Sequence, residues 1–191
     1  ARQSAGNSVE DIHELCEYAH RFGATVHVTI NTIIYDSELE ETIALVRELV
    51  EAGVDAFLLQ DMGLMSEVKK IVPETVALHA STQCDTRTWE KASWLSQQGF
   101  DRVVLARELS SEEISGIHKH LPDLELEAFV HGALCVSYSG ICYASQYCFG
   151  RSANRGACAQ FCRLAFDLKD SDGKTIEHQK HLLSLKDMSQ I

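Results

Sequence analysis

The chain has 191 residues, 45% of them hydrophobic, with 17 Lys and Arg against 28 Asp and Glu for a formal net charge of −11. That size supports one well-formed core, and the acid excess excludes a protein that coats nucleic acid nonspecifically. No apolar run approaches the ~18 residues of a spanning helix, and the opening ARQSAGNSVEDIHELCEY does not read as a secretory signal.

Hydrophobic spacing predicts a helix over residues 8–22, capped by Asn7 or Ser8 and closed by Gly23. A β-branched strand follows over 24–30, then a helix from Ser37, read as its cap, to Ala52. Strand 55–59 precedes a short helix over 63–71. Strand 75–79 leads to a helix over 86–98, strand 101–106 to a helix over 110–120, and the fifth strand is expected over 124–130. The segments Gly53-Val-Asp55 and Gly99-Phe-Asp101 repeat one device, in which glycine stops a helix and an acidic residue opens the next strand. Strands alternating with helices imply parallel pairing, and the apolar runs in Phe57–Leu59 and Val103–Leu105 imply burial on both faces. A doubly wound sheet fits this rhythm. An incomplete or modified (β/α)8 TIM-like barrel fits better, because polar residues gather at strand C-termini and no Gly-x-Gly-x-x-Gly fingerprint occurs. After the fifth strand, residues 164–169 and 174–178 flank Asp170-Ser-Asp-Gly173, a hairpin signal, and 182–185 could add one short strand. The chain is thus read as barrel-type repeats over 1–134, a cysteine-rich loop over 135–163, and a hairpin with a final strand over 164–191. Two unpaired sheet edges predict self-association.

Five of the seven cysteines lie between Glu127 and Arg163. Four form two pairs, Cys135-x6-Cys142 and Cys158-x3-Cys162, and Cys148 is a spare. Thiolates are soft ligands suited to an iron–sulfur cluster or to zinc, and the missing Cys-x2-Cys knuckles disfavour zinc. An odd cysteine count in a chain this long points to reduced thiols and a cytoplasmic protein. Arg151, Arg155 and Arg163 lie in an acid-free stretch, read either as a solvated loop or as an anion-facing surface.

The segment Glu127-x-Phe129-x2-Gly132-Ala133-Leu134-Cys135-x4-Gly140-x-Cys142 resembles the signature of peptidase family U32, the collagenase-like proteins. Ser145 continues the pattern, and Ala144 replaces its larger aliphatic residue. Ser4-Ala-Gly-Asn7, Val28-Thr-Ile-Asn-Thr32, Gly156-x-Cys158-x3-Cys162-Arg163 and Leu183-Ser-Leu-Lys-Asp-Met188 resemble further landmarks of that family. The resemblance implies a modified barrel with two strands ahead of the first landmark, so the chain is read as an internal fragment. It also implies either peptidase activity, as the family name says, or oxygen-independent hydroxylation of a tRNA wobble uridine or of rRNA, with a 4Fe–4S cluster on four cysteines. In cluster-bearing relatives the fourth ligand looks like a cysteine after Lys-Asp-Leu. Here Lys186-Asp187-Met188-Ser189 has none, which leaves Cys162 for that role.

The expected metal ligands are therefore Cys135, Cys142, Cys158 and Cys162, for a 4Fe–4S cluster or zinc. Asn31, Asp61, His79, Gln83 and Arg107, at strand ends, are expected to bind substrate, with a small acidic co-substrate held by Arg107, Asn31 and Gln83. Glu127 and His131, placed with Phe129 on one strand face by alternation, are expected to move protons. A Glu127–Arg107 ion pair is the bland alternative. His27 is read as structural, and His178 and His181 as solvated. Peptidase chemistry rests locally on Cys135 with His131, and no Gly-x-Ser-x-Gly or His-Glu-x-x-His motif accompanies them. A noncatalytic scaffold stabilised by its thiols is the third class.

Overall fold

The structure is a computed structural model describing residues 6–132, 134–139 and 141–184, with the backbone of 188–189. The landmark residues Ser4, Ala5, Ala133, Gly140 and 185–187 lie outside the described residues. Helix α1 (Val9–His20) begins at a capping box: Ser8 Oγ accepts from the Asp11 N–H at 3.1 Å, and the Asp11 carboxylate accepts from the Ser8 N–H at 2.9 Å. It leads into β1 (His27–Ile30), α2 (Asp36–Glu51), β2 (Ala56–Leu59), α3 (Met62–Val68), β3 (Ala77–Ala80), α4 (Trp89–Gln98), β4 (Arg102–Val104), α5 (Ser111–His120) and β5 (Glu125–Glu127).

Strands β1 to β5 form one parallel sheet in chain order. A doubly wound sheet reverses its order at a switch point, and these five strands never reverse. The glycine–acid device explains how β2 and β4 are started. Gly53 (φ +93°) and Gly99 (φ +111°) turn the chain in a conformation that side chains resist. The carboxylates of Asp55 and Asp101 then accept from the Val26 and Leu78 N–H groups at 2.6 and 2.8 Å. Each acid satisfies a donor at the start of the neighbouring strand.

The sheet has two unlike faces. Phe57, Leu59, Leu78, Ala80, Val103 and Leu105 pack with Cys16, Val46, Leu49, Leu64, Val68, Ala92, Leu95 and Ile117 of the helices in one buried core. The alternate positions form a register row running Thr29, Leu58, His79, Arg102, Glu125. His27 and Thr29 on that face are exposed. Burial on both faces therefore holds at Val103–Leu105, where all three residues are buried, is partial at Leu58, and fails along β1, where the second face is open.

Several boundaries move, each for a local reason. Helix α2 starts one residue before Ser37: the Glu38 carboxylate accepts from the Tyr35 N–H at 2.9 Å and fixes the first turn. Helix α4 starts at Trp89, capped by Thr88, because Thr86 is held in a bridge to Leu105. The fifth strand stops at Glu127, since β5 pairs only where three-residue β4 runs beside it. Phe129 and His131 therefore do not continue that strand's face. His131–Gly132 instead forms β6, antiparallel to β9 (Met188–Ser189). Beyond α6 (Ala144–Phe149), the hairpin is present as β7 (Phe166–Lys169) and β8 (Thr175–Lys180). Asp170 Oδ1 accepts from the Asp172 and Lys174 N–H groups, and Gly173 has φ +80°. Residues 182–184 turn rather than extend, with the Ser184 N–H on the His181 carbonyl at 3.2 Å. His178 and His181 are more than solvated: they contact the Asp167 carboxylate at 2.8 Å and the Arg163 carbonyl at 2.9 Å.

Candidate functional site

The C-terminal ends of the strands hold a linked polar group. Asn31, just after β1, donates from Nδ2 to Ser81 Oγ at 3.2 Å and to Gln83 Oε1 at 3.1 Å. Ser81 is buried after β3 and also bonds Gln83. Gln83 sits in the 3-10 turn Thr82–Cys84, which is pinned from below by Cys84 Sγ, 3.6 Å from the Leu59 carbonyl. Burial pushes the Cys84 thiol up to about 11. Thr82 Oγ1 donates to the Leu105 carbonyl at 3.2 Å and lies 3.4 Å from Ser139 Oγ. Arg107, beyond β4, donates to the same Ser139 hydroxyl at 3.3 Å. Its Nε is buried without a hydrogen-bond partner among the described residues. Ser139, wholly buried, thus ties the cysteine-bearing loop to two strand ends, and isolated serines give no sequence signal of such a role.

The loop is anchored at a second point. The Arg155 guanidinium pairs with the Glu38 carboxylate, donates to the Ile33 carbonyl at 3.1 Å, and lies 4.0 Å over the Tyr35 ring. Its hydrogen bond holds Glu38 down to about 2. Asn154 accepts from the Ile33 N–H through its carbonyl (3.2 Å) and from the Cys142 N–H through Oδ1 (3.2 Å). Arg163 donates to the Leu134 carbonyl at 2.7 Å. Arg155 and Arg163 therefore brace the loop, which overturns the reading of all three arginines as one anion-facing surface.

Cys135, Cys142 and Cys158 line one cavity of about 300 Å³ together with Asn31, Gln83, Arg107 and Tyr138. Burial pushes the Cys162 thiol up, Arg163 opposes this, and Cys135, Cys158 and Cys142 add to the rise. Such influence decays with separation, so the four thiols share one neighbourhood. All seven cysteines are free. As they stand, no three His, Cys, Asp or Glu side chains among the described residues are close enough to ligate one metal ion. Arg107, Cys135 and Tyr138 also border a neighbouring cavity of about 850 Å³ with Phe129 and Leu134.

The other expected site residues stand apart. Asp61 caps α3, accepting from the Leu64 N–H at 3.0 Å, and its other oxygen lies 3.4 Å from the Ile34 nitrogen. His79 is buried mid-strand, edge-on to His27 at 5.0 Å. Burial lowers its pKa, with Arg102 acting in the same direction. Glu127 pairs at 3.4 Å with Arg102, which also binds Glu125 at 2.7 Å, so the suggested Arg107 pairing gives way to Arg102. His131 is exposed on β6. Neither Glu127 nor His131 lines either cavity described above.

A one-way parallel sheet with a cysteine-bearing loop tied across its C-terminal ends defines the chain as an α/β protein. The pattern of peptidase family U32 matches residues 1–191, and the chain belongs to that family. It is 53% identical over 190 residues to the "23S rRNA 5-hydroxycytidine C2501 synthase" of Escherichia coli strain K12, covering 100% of this chain and 28% of that protein. It is 36% identical over 173 residues to "tRNA hydroxylation protein P1" of Bacillus subtilis strain 168, covering 90% of this chain and 40% of that protein. The chain thus spans well under half the length of these relatives. The solved structure of the U32 peptidase Mk0906 shares the fold with a TM-score of 0.54 at 18% identity, over 66% of this chain and 53% of that one.

Proposed function

We propose that this chain is the thiol-bearing part of an enzyme that hydroxylates a base in rRNA or tRNA, holding a 4Fe–4S cluster on Cys135, Cys142, Cys158 and Cys162. The observation that carries the reading is the gathering of those four thiols at the C-terminal ends of a parallel sheet, where side chains of barrel enzymes meet their substrates. The named activities of the Escherichia coli and Bacillus subtilis relatives supply the substrate class. The missing Cys-x2-Cys knuckles disfavour zinc, and four cysteine thiolates make up the ligand set of a 4Fe–4S cluster. When bound, such a centre supplies redox or Lewis-acid chemistry.

The chain's own residues supply the surroundings. Arg107, which borders both cavities, would hold a small acidic co-substrate. The Asn31–Ser81–Gln83 network would fix hydrogen-bonding groups on the opposite wall. Glu127 would carry protons only if its ion pair with Arg102 opens, and His131 would act from outside the cavity. The chain-order sheet further suggests a (β/α) barrel closed by strands elsewhere in the full protein, working on RNA in the cytoplasm.

Deleting the gene and measuring rRNA and tRNA nucleosides by mass spectrometry tests the activity: one hydroxylated nucleoside should disappear, and an unchanged profile removes the reading. Anaerobic purification with iron and absorbance assays tests the cluster, and a colourless, iron-free protein removes it. Peptidase chemistry finds less support, because no hydrogen bond joins His131 to Cys135 among the described residues. Gelatin cleavage abolished by Cys135→Ala would establish it.

A further inference from the structure

The thiols and Arg107 leave unexplained the aromatic residues beside them. Tyr143 and Tyr147 are 67% and 93% exposed. The Tyr147 N–H donates to the Tyr143 carbonyl at 2.9 Å, so Tyr143, the N-cap of α6, and Tyr147 within it lie one helical turn apart. Gly150, at φ +64°, then closes the helix, and exposed Arg151 follows with its N–H on the Ser145 carbonyl. The residue before Tyr143 is Cys142, which lines the 300 Å³ cavity with Ile141 and Tyr138. Tyr138 is itself 59% exposed, with the Arg87 guanidinium 4.3 Å over its ring.

Exposed rings one turn apart mark a surface that something covers, and charge indicates what. The chain carries −11 overall, yet residues 128–166 contain no Asp or Glu, and while Arg155 and Arg163 brace the loop, exposed Arg151 lies beside the two tyrosines. An occupant with flat apolar faces and a negative backbone matches both features. An unpaired nucleic acid strand has that chemistry, because its bases stack on aromatic rings while its phosphates meet arginine. An acidic peptide would match the charge but not the flat, solvent-facing tyrosines. Chemistry on a base also requires it to leave its stack, which leaves its neighbours needing support.

We propose that Tyr143, Tyr147 and Arg151 form a stacking platform for single-stranded RNA at the rim of the thiol-lined cavity. The target base enters past Tyr138 while flanking bases rest on the two tyrosines. This inference rests on the RNA-hydroxylation reading and names the contact surface for it.

The test uses full-length protein and a fluorescein-labelled single-stranded RNA oligonucleotide, alone or annealed into a duplex, read by anisotropy. Tyr143→Ala and Tyr147→Ala should each weaken single-strand binding roughly tenfold, and Tyr147→Phe should retain it. Arg151→Ala should lower the salt dependence of log affinity by about one. Because Tyr147 is almost wholly exposed, its truncation should leave the melting temperature unchanged. No single-strand binding by the wild type, or unchanged affinity in both alanine variants, overturns the platform. A fall in melting temperature without a fall in affinity also overturns it, since the rings would then pack on the protein's own further segments. If the deletion strain keeps every modified nucleoside while the tyrosine variants lose the strand, hydroxylation fails and the platform stands.

Discussion

The placement of the 3-10 turn carrying Gln83 can be checked through the thiol beneath it. Cys84 is held near the Leu59 carbonyl, and burial raises its pKa from 9.0 to about 11. At pH 8 its thiolate is then about a hundredfold scarcer than that of an ordinary thiol. A more basic thiolate is also the better nucleophile, and a Brønsted slope of ~0.4–0.5 returns roughly tenfold. The net expectation is alkylation about tenfold slower than for the same thiol in the unfolded chain, before any steric shielding is counted, with exposed Cys148 as the internal reference. Pulse labelling of reduced, metal-free protein with iodoacetamide at pH 8, followed by peptide mass spectrometry, measures both sites at once. In urea the two should label alike. In the folded chain the Cys84 rate should keep climbing about tenfold per pH unit until about pH 11. Equal rates at Cys84 and Cys148 in the folded protein would show that the turn does not sit on β2, and the Asn31–Ser81–Gln83 network would be lost with it.

Three further outcomes are expected. Thr86 is fully buried and its hydroxyl has no partner among the described residues, so Thr86→Val should raise stability by about 1 kcal/mol, a melting shift of roughly 2–4 °C by calorimetry. Asp55→Ala leaves the Val26 N–H without its acceptor and should cost about 1–3 kcal/mol in urea unfolding; a neutral result would deny that latch. Burial pushes the Asp55 carboxyl up, but the bonds from His20 and Val26 outweigh it and leave it lowered, so this contribution holds above pH 3.8 and fades as pH falls below it. Glu38 is lowered to about 2 by Arg155, so the clamp on the cysteine loop is complete above pH 4.5 and lost as pH falls through about 2. Hydrogen exchange over residues 142–158 should stay slow at pH 3.5 in the wild type and become fast in Arg155→Met.

The helices and strands were legible because their causes are local. Ser8 and Ser110 cap with an acid three residues on, and Gly53 and Gly99 turn the chain where a side chain would strain it. The fifth strand was overdrawn because residues 124–130 have strand-forming character, whereas its length is set by β4, which ends at Val104. The shared neighbourhood of Cys135, Cys142 and Cys158 was legible in their spacing, since all three line one cavity. The proton-moving pair was not, because Glu127 answers to Arg102 on a neighbouring strand and His131 to a pairing partner near residue 189. Long-range partners of this kind leave no trace in local periodicity. Ser139 was missed for the same reason, as its role depends on Thr82 and Arg107 arriving from other strands.

Asn154 has a mechanical consequence. Its carbonyl takes the Ile33 N–H, its side chain takes the Cys142 N–H, and its neighbour Arg155 grips the first turn of α2. Two short links therefore connect the tail of the first strand to a sulfur-bearing residue more than a hundred positions later. A shift of one ångström near Ile33 would reset the separation between Cys142 and its companion thiols, so substitutions far from any cysteine in sequence can change that spacing. Asn154→Ala would uncouple the two ends, and retention of the proposed cluster should then become insensitive to changes at Ile33.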